Sequence, residues 1–162
     1  IYLRFCTHMA AVHKISVDFY EEDFTLIALH STMQDYAVVY ALNSVLMSLF
    51  ERAPKDLEVS EHMSFPFFEW QDDQHDRYWV VIANNSTKKE LLVRDGLFQD
   101  EPSFAKHYLV PEQKEVDYFV KIEHDDDLDT SDLVKKLLTI PKIITAYSID
   151  ADTLKSRNNL IF

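Results

Sequence analysis

Clustered carboxylates are the first groups in this chain that could do chemistry. Residues 123–132 read Glu-His-Asp-Asp-Asp-Leu-Asp-Thr-Ser-Asp, and Asp125, Asp127 and Asp129 carry the first three spacings of a calcium loop. The next position needs glycine and is Thr130, and the twelfth needs a bidentate glutamate and is Lys136. The calcium-loop reading therefore fails twice. An acidic loop that caps the following helix explains the run better, with Asp125, Asp127 and Asp129 left as weak metal candidates. The histidines form neither an HxH nor an HExxH pattern, so no helical zinc site is expected. No cofactor is expected.

A second pair of acids, Glu112 and Asp117, lies in the segment Val-Pro-Glu-Gln-Lys-Glu-Val-Asp-Tyr over 110–118. Two carboxylates held together could bind a cation or work as acid and base. The plainer reading is that they satisfy backbone donors where a strand begins. Pro111 stiffens that approach, and Val116 and Tyr118 fall on one face of the strand. The segment resembles the signature of the bacterial IPExxxVDY family, departing only at Val110, which keeps an apolar β-branched residue. Residues 35–43 and 159–162 are similar to that family as well, so the resemblance runs from about His13 to the end. It implies a bacterial, cytoplasmic setting. That family carries no assigned activity, so no catalytic role transfers to Pro111, Glu112, Val116, Asp117 or Tyr118.

The third group is aromatic. Phe67, Trp70 and Trp79 lie with Phe65, Phe68 and Tyr78 on two segments joined by the acidic stretch 71–76. Such residues can stack bases, but that wants interleaved Lys and Arg. Here the neighbours are Glu69, Asp72, Asp73 and Asp76, with Arg77 alone. Filling a core is the first expectation, and any part left exposed becomes an interaction patch. Phe67, Trp70 and Trp79 are the interaction candidates.

Composition removes other chemistry. The chain has 162 residues, a net charge of −12, one glycine (Gly96) and one cysteine (Cys6). Phosphate-cradling loops and glycine-flanked serine elbows each need more glycine than that. The negative balance argues against a nucleic-acid partner. A lone thiol forms no intrachain disulfide and suggests a reducing, cytoplasmic compartment. No apolar run of membrane-spanning length is present, so no membrane partner is expected. Residues 1–8 read as an extension ahead of Met9, with one domain over 9–162.

The elements that must position these groups follow from periodicity. Residues 13–19 alternate as a strand, and 24–29, apolar on both faces, read as a central strand pairing with it in a hairpin. Residues from Gln34 or Asp35 to about Phe50 have helical spacing and few charges, predicting a largely buried helix, with 47–52 as an alternative short strand and Pro54 stopping either one. Residues 64–70 and 77–84 form a second hairpin. A short strand is expected near 91–93, and 98–108 has no clear pattern. Residues 116–123 alternate with Val116, Tyr118, Val120 and Ile122 inward and Asp117, Lys121 and Glu123 outward. A helix capped by Asp129 or Thr130 then runs to Pro141, carrying Leu133, Val134, Leu137 and Leu138, and a strand over 142–149 completes a β-α-β unit. The expected fold is α+β: a mostly antiparallel sheet built from two hairpins and a late β-α-β unit, with two main helices on one face. The expected role is a non-catalytic interaction or regulatory module acting on an unknown protein partner or as a homo-oligomer. The alternative is a carboxylate-based ligand-binding protein or enzyme using Glu112 and Asp117.

Overall fold

A computed structural model describes residues 24–60, 63–91, 102–125 and 127–162. The strand read over 13–19 and the extension over 1–8 lie outside the described residues, as does Gly96.

The fold is α+β. Strand β1 (Phe24–Ser31) is followed by helix α1 (Asp35–Leu46), the short β2 (Glu51–Arg52), β3 (Leu57–Ser60) and β4 (Met63–Phe65). The hairpin strands β5 (Phe67–Asp72) and β6 (Arg77–Ala83) lead to a second pair, β7 (Asn85–Leu91) and β8 (Pro102–Tyr108). Strand β9 (Tyr118–Glu123), helix α2 (Thr130–Leu138) and β10 (Ile143–Ile149) complete the main elements. Six strands form the main sheet in the order β10-β1-β9-β6-β5-β2, and the described pairings are antiparallel.

The apolar run of β1 does make it a central strand, but its neighbours are β9 and β10. Both edges of Leu26–Leu29 are thereby occupied, so this stretch is not one arm of a local hairpin. Because β9 and β10 each run antiparallel to β1, they are parallel to one another. The expected β-α-β unit is therefore present, with β1 lying between its two strands.

Both helices cover one face of the sheet. Val38, Val39 and Leu42 of α1 and Leu133 and Leu137 of α2 pack on Ile27, Leu29, Val81, Val120 and Ile122. The opposite face is buried too: Leu26, Ala28, Val80, Ile82 and Phe119 lie beneath Phe65, Leu109, Val110, Val116, Leu154 and Leu160. Strand β9 is consequently buried on both sides, which corrects the half-exposed reading. Lys121, expected outward, is only 1% exposed. The strand begins at Tyr118, so Val116 precedes the ladder and packs on the face opposite Tyr118.

Other expectations change at their ends. Helix α1 stops at Leu46, where Met47 turns left-handed (φ 55°), and it is less buried than its low charge suggested, Tyr40 being 75% exposed. Pro66 divides the aromatic run into β4 and β5, since proline supplies no ladder N–H. The stretch read as irregular contains β8, and its partner β7 starts six residues ahead of the short strand expected from Leu91. Leu138 is exposed rather than packed. Helix α2 begins as read: Asp129 Oδ1 accepts the Asp132 N–H at 2.9 Å, a cap contributing about 1 kcal/mol.

Candidate functional site

The two acids of the Val110–Tyr118 segment are engaged separately by main-chain donors. Pro111–Gln113 forms a 3-10 turn, and Glu112 Oε1 accepts the Ser156 N–H at 2.8 Å. Partial desolvation raises the Glu112 pKa, but bonds from Ser156 and the Lys155 main chain outweigh it and leave the carboxyl below its ordinary value. Asp117 Oδ2 accepts the Ser31 N–H at 2.9 Å, where β1 ends. Tyr118 donates its hydroxyl to the Met33 carbonyl at 2.6 Å. Burial, then the charges of Asp35 and Asp117, push that phenol up to about 12. Pro111 is exposed, while Val116 is buried.

The centre of this segment is a residue that sequence reading missed. Asn84 is fully buried and follows β6. Its Oδ1 accepts from Val110 N (2.9 Å), and its Nδ2 donates to the carbonyls of Gln113 (2.7 Å) and Val116 (3.0 Å). Its own N–H donates to the Asp117 carbonyl and its carbonyl accepts from Leu109 N, both at 2.8 Å. The segment is thus an irregular loop made rigid by one carboxamide. An asparagine at the end of an apolar strand was the only available signal, and it reads equally as a turn residue.

The aromatic candidates separate by strand parity. Trp70 and Trp79 are register partners on the helix face, with ring centroids 5.7 Å apart and planes at 37°. Phe67 falls on the other face, 5.4 Å from the Phe162 ring. Phe50 closes against both tryptophans at 5.8 and 6.4 Å, edge-on.

These indoles form part of a cleft of about 850 Å³ where the end of α1, the tip of the β5–β6 hairpin and the start of α2 meet. Each wall has a local cause. Asn43 Oδ1 accepts from Phe50 N (2.8 Å) and Ser48 Oγ (2.9 Å), so the chain leaving α1 folds back and sets Met47 and Leu49 at the lip. Both side chains face solvent, at 84% and 73% exposure. At the tip, buried Asp72 accepts the Gln74 N–H at 3.2 Å and the His75 Nδ1–H at 2.7 Å. Capped by Asp129, α2 contributes Leu133, Asp132 and Lys136.

The cleft therefore unites two groups that are far apart in sequence: Trp70 and Trp79 with Asp127 and Asp129. Asp125 is exposed and does not line it. Five aspartates (72, 73, 127, 129 and 132) face Arg77, Lys136 and His75. Lys136 is bound to Asp132 at 2.9 Å and His75 to Asp72. The Trp79 indole, 5% exposed, has a buried Nε1–H with no hydrogen-bond partner. Such an arrangement offers an apolar aromatic floor under a negative rim. Among the described residues, no three His, Cys, Asp or Glu side chains are grouped to hold a metal ion. Nor is any described helix long and apolar enough to cross a membrane. No family model, curated protein or solved structure matches this chain.

Proposed function

We propose that this chain is a non-catalytic binding module that engages a partner protein through the face carrying the Trp70–Trp79 cleft. The observation that carries this reading is the lip: Met47 and Leu49 stand in solvent beside a half-buried Trp70. Exposed large apolar side chains grouped around a concavity are the composition of an interface core. Met47 reaches the lip because α1 ends on it in the left-handed conformation common at helix C-termini. Glu112 and Asp117 favour the binding reading over the carboxylate-chemistry one, since each is already bonded to a main-chain donor. A cytoplasmic setting and kinship with the IPExxxVDY family belong to the same proposal, the first supported by the lone Cys6, the second by the match over 110–118.

Site-specific photo-crosslinking tests it. A crosslinking side chain placed at position 49 should give one discrete adduct, identified by mass spectrometry and reconstituted with the purified partner. The same group at position 58, in β3, should not. Trp70→Ala should abolish the adduct at 49. Equal adducts at both positions, or adducts indifferent to Trp70→Ala, would overturn the reading. Light scattering on the purified chain separates self-association from a different partner.

A further inference from the structure

The cleft's charge and shape point to one class of occupant. Among the described residues Asp73 and Asp127 have no ion pair, whereas Asp72 is joined to His75 and Asp132 to Lys136. These two acids border a floor made by the Trp70–Trp79 pair. An indole face attracts a cation, and the apolar stem of an arginine or lysine packs on the same face. A volume of about 850 Å³ exceeds what a single ion needs and suits several residues of a peptide. The Trp79 indole N–H, buried in the floor, also lacks an acceptor. A peptide brings carbonyls, whereas a simple amine brings none.

We propose that the cleft binds a basic peptide segment of the partner, an arginine or lysine side chain lying over Trp70 with its cation between Asp73 and Asp127. The proposal rests on the cleft being the binding face and specifies what that face recognises. Anionic ligands are disfavoured by the same rim.

The test uses the full chain labelled with 15N, and both of its tryptophans line this cleft, so the indole N–H signals report on it alone. A capped pentapeptide with a central arginine should shift both indole signals saturably. Asp73→Asn with Asp127→Asn, both at exposed positions, should weaken the Kd by about five-fold or more. Raising salt from about 0.1 M to about 1 M should weaken it similarly, as the screening length falls from about 10 to about 3 Å. The same peptide with norleucine for arginine should bind far less. Equal binding by the norleucine peptide would overturn the basic-segment proposal while leaving the cleft as the binding face. Equal binding by tetramethylammonium or spermidine would also overturn it, assigning the cleft to a small organic cation. Unmoved indole signals with every probe would overturn it too; a retained adduct at position 49 would then preserve the binding face, and its loss would remove both.

Discussion

The carboxamide oxygen of Asn84 accepts the Val110 N–H at 2.9 Å across 26 residues of chain. That one bond joins the end of β6 to the start of the Pro111 turn, and the other two Asn84 side-chain bonds close the turn's far side at Gln113 and Val116. The Val110–Tyr118 segment keeps its shape because its main-chain groups find a partner in this residue. The two acids in that segment, Glu112 and Asp117, reinforce the same scaffold.

Replacing Asn84 should therefore cost more than replacing either acid. Asn84→Ala strands two buried main-chain groups, the Val110 N–H and the Val116 carbonyl, while the Gln113 carbonyl keeps the Val116 N–H. At about 1–3 kcal/mol each before relaxation, a loss of about 2 kcal/mol or more is expected. Asn84→Asp should do no better, because it keeps the acceptor but sets a carboxylate against two carbonyls. Glu112→Gln should cost under about 1 kcal/mol, as Glu112 is exposed and an amide oxygen still accepts. Urea unfolding of the three variants checks this order, and an Asn84→Ala midpoint near wild type would refute it.

Alkaline pH should weaken the fold in a way that Tyr118→Phe partly removes. A folded pKa of about 12 lies above the ordinary value of 10. Its contribution is thus complete below about pH 10 and is lost as pH rises toward 12. Tyr78 moves in the same direction through burial and then its bond to Glu69, so some alkaline sensitivity must persist in the variant. At neutral pH Tyr118→Phe should cost about 1 kcal/mol for the lost bond to Met33. Chemical denaturation at neutral pH and near pH 11 separates the two effects. A pH slope identical in both proteins would contradict the assignment.

Lys121 is a cation buried in the sheet. Its Nζ lies 2.6 Å from Glu123 Oε1 and about 5 Å from the rings of Phe24 and Phe162. Desolvation offsets much of such a pair's attraction, so Lys121→Met should change stability by less than about 1 kcal/mol in either direction. Glu123→Ala should cost about 2 kcal/mol, because it leaves the ammonium buried without its counter-charge. The same change made in a Lys121→Met background should cost much less. A double-mutant cycle with additive terms would show that the pair is not coupled.

Lys142 and Met47 hold left-handed backbone angles, with φ of 73° and 55°. Steric crowding of the β-carbon there costs about 1–2 kcal/mol, partly offset by the entropy that glycine loses on folding. Lys142→Gly should raise stability by about 0.5–1 kcal/mol, or about 2 °C in Tm for a chain of this size. Asp76→Gly should gain less, because aspartate tolerates its φ of 51°. Calorimetry decides it, and a lowered Tm for Lys142→Gly would contradict the steric account. Met47→Gly should show a similar gain in stability together with weaker partner binding.

Local pattern carried much of this molecule. Helix α2 was legible from Asp129, the spacing of Leu133 and Leu137, and Pro141. The hairpin β5–β6 was legible from two aromatic runs around an acidic turn. By contrast, β9 was misjudged on one face. Its alternation of Lys121 and Glu123 with apolar residues is the pattern of a half-exposed strand, and it is residues from distant segments, Phe65, Leu109, Leu154 and Leu160 among them, that make that face interior. Helix α1 erred the other way, since low charge marks a buried helix only where something packs on its outer side.

The sequence by itself determined the class: acid-rich, almost free of glycine, with strands and helices whose periodicity calls for an α+β sheet packed on one side by helices. Those properties depend on residues within a few positions of one another. Tertiary structure alone decided that β1 inserts between β9 and β10, that Asn84 anchors the 110–118 loop, and that Trp70 and Trp79 share a cleft with Asp127. Each of these depends on where distant segments pass in space, and neither side-chain type nor spacing encodes that until the sheet order is known.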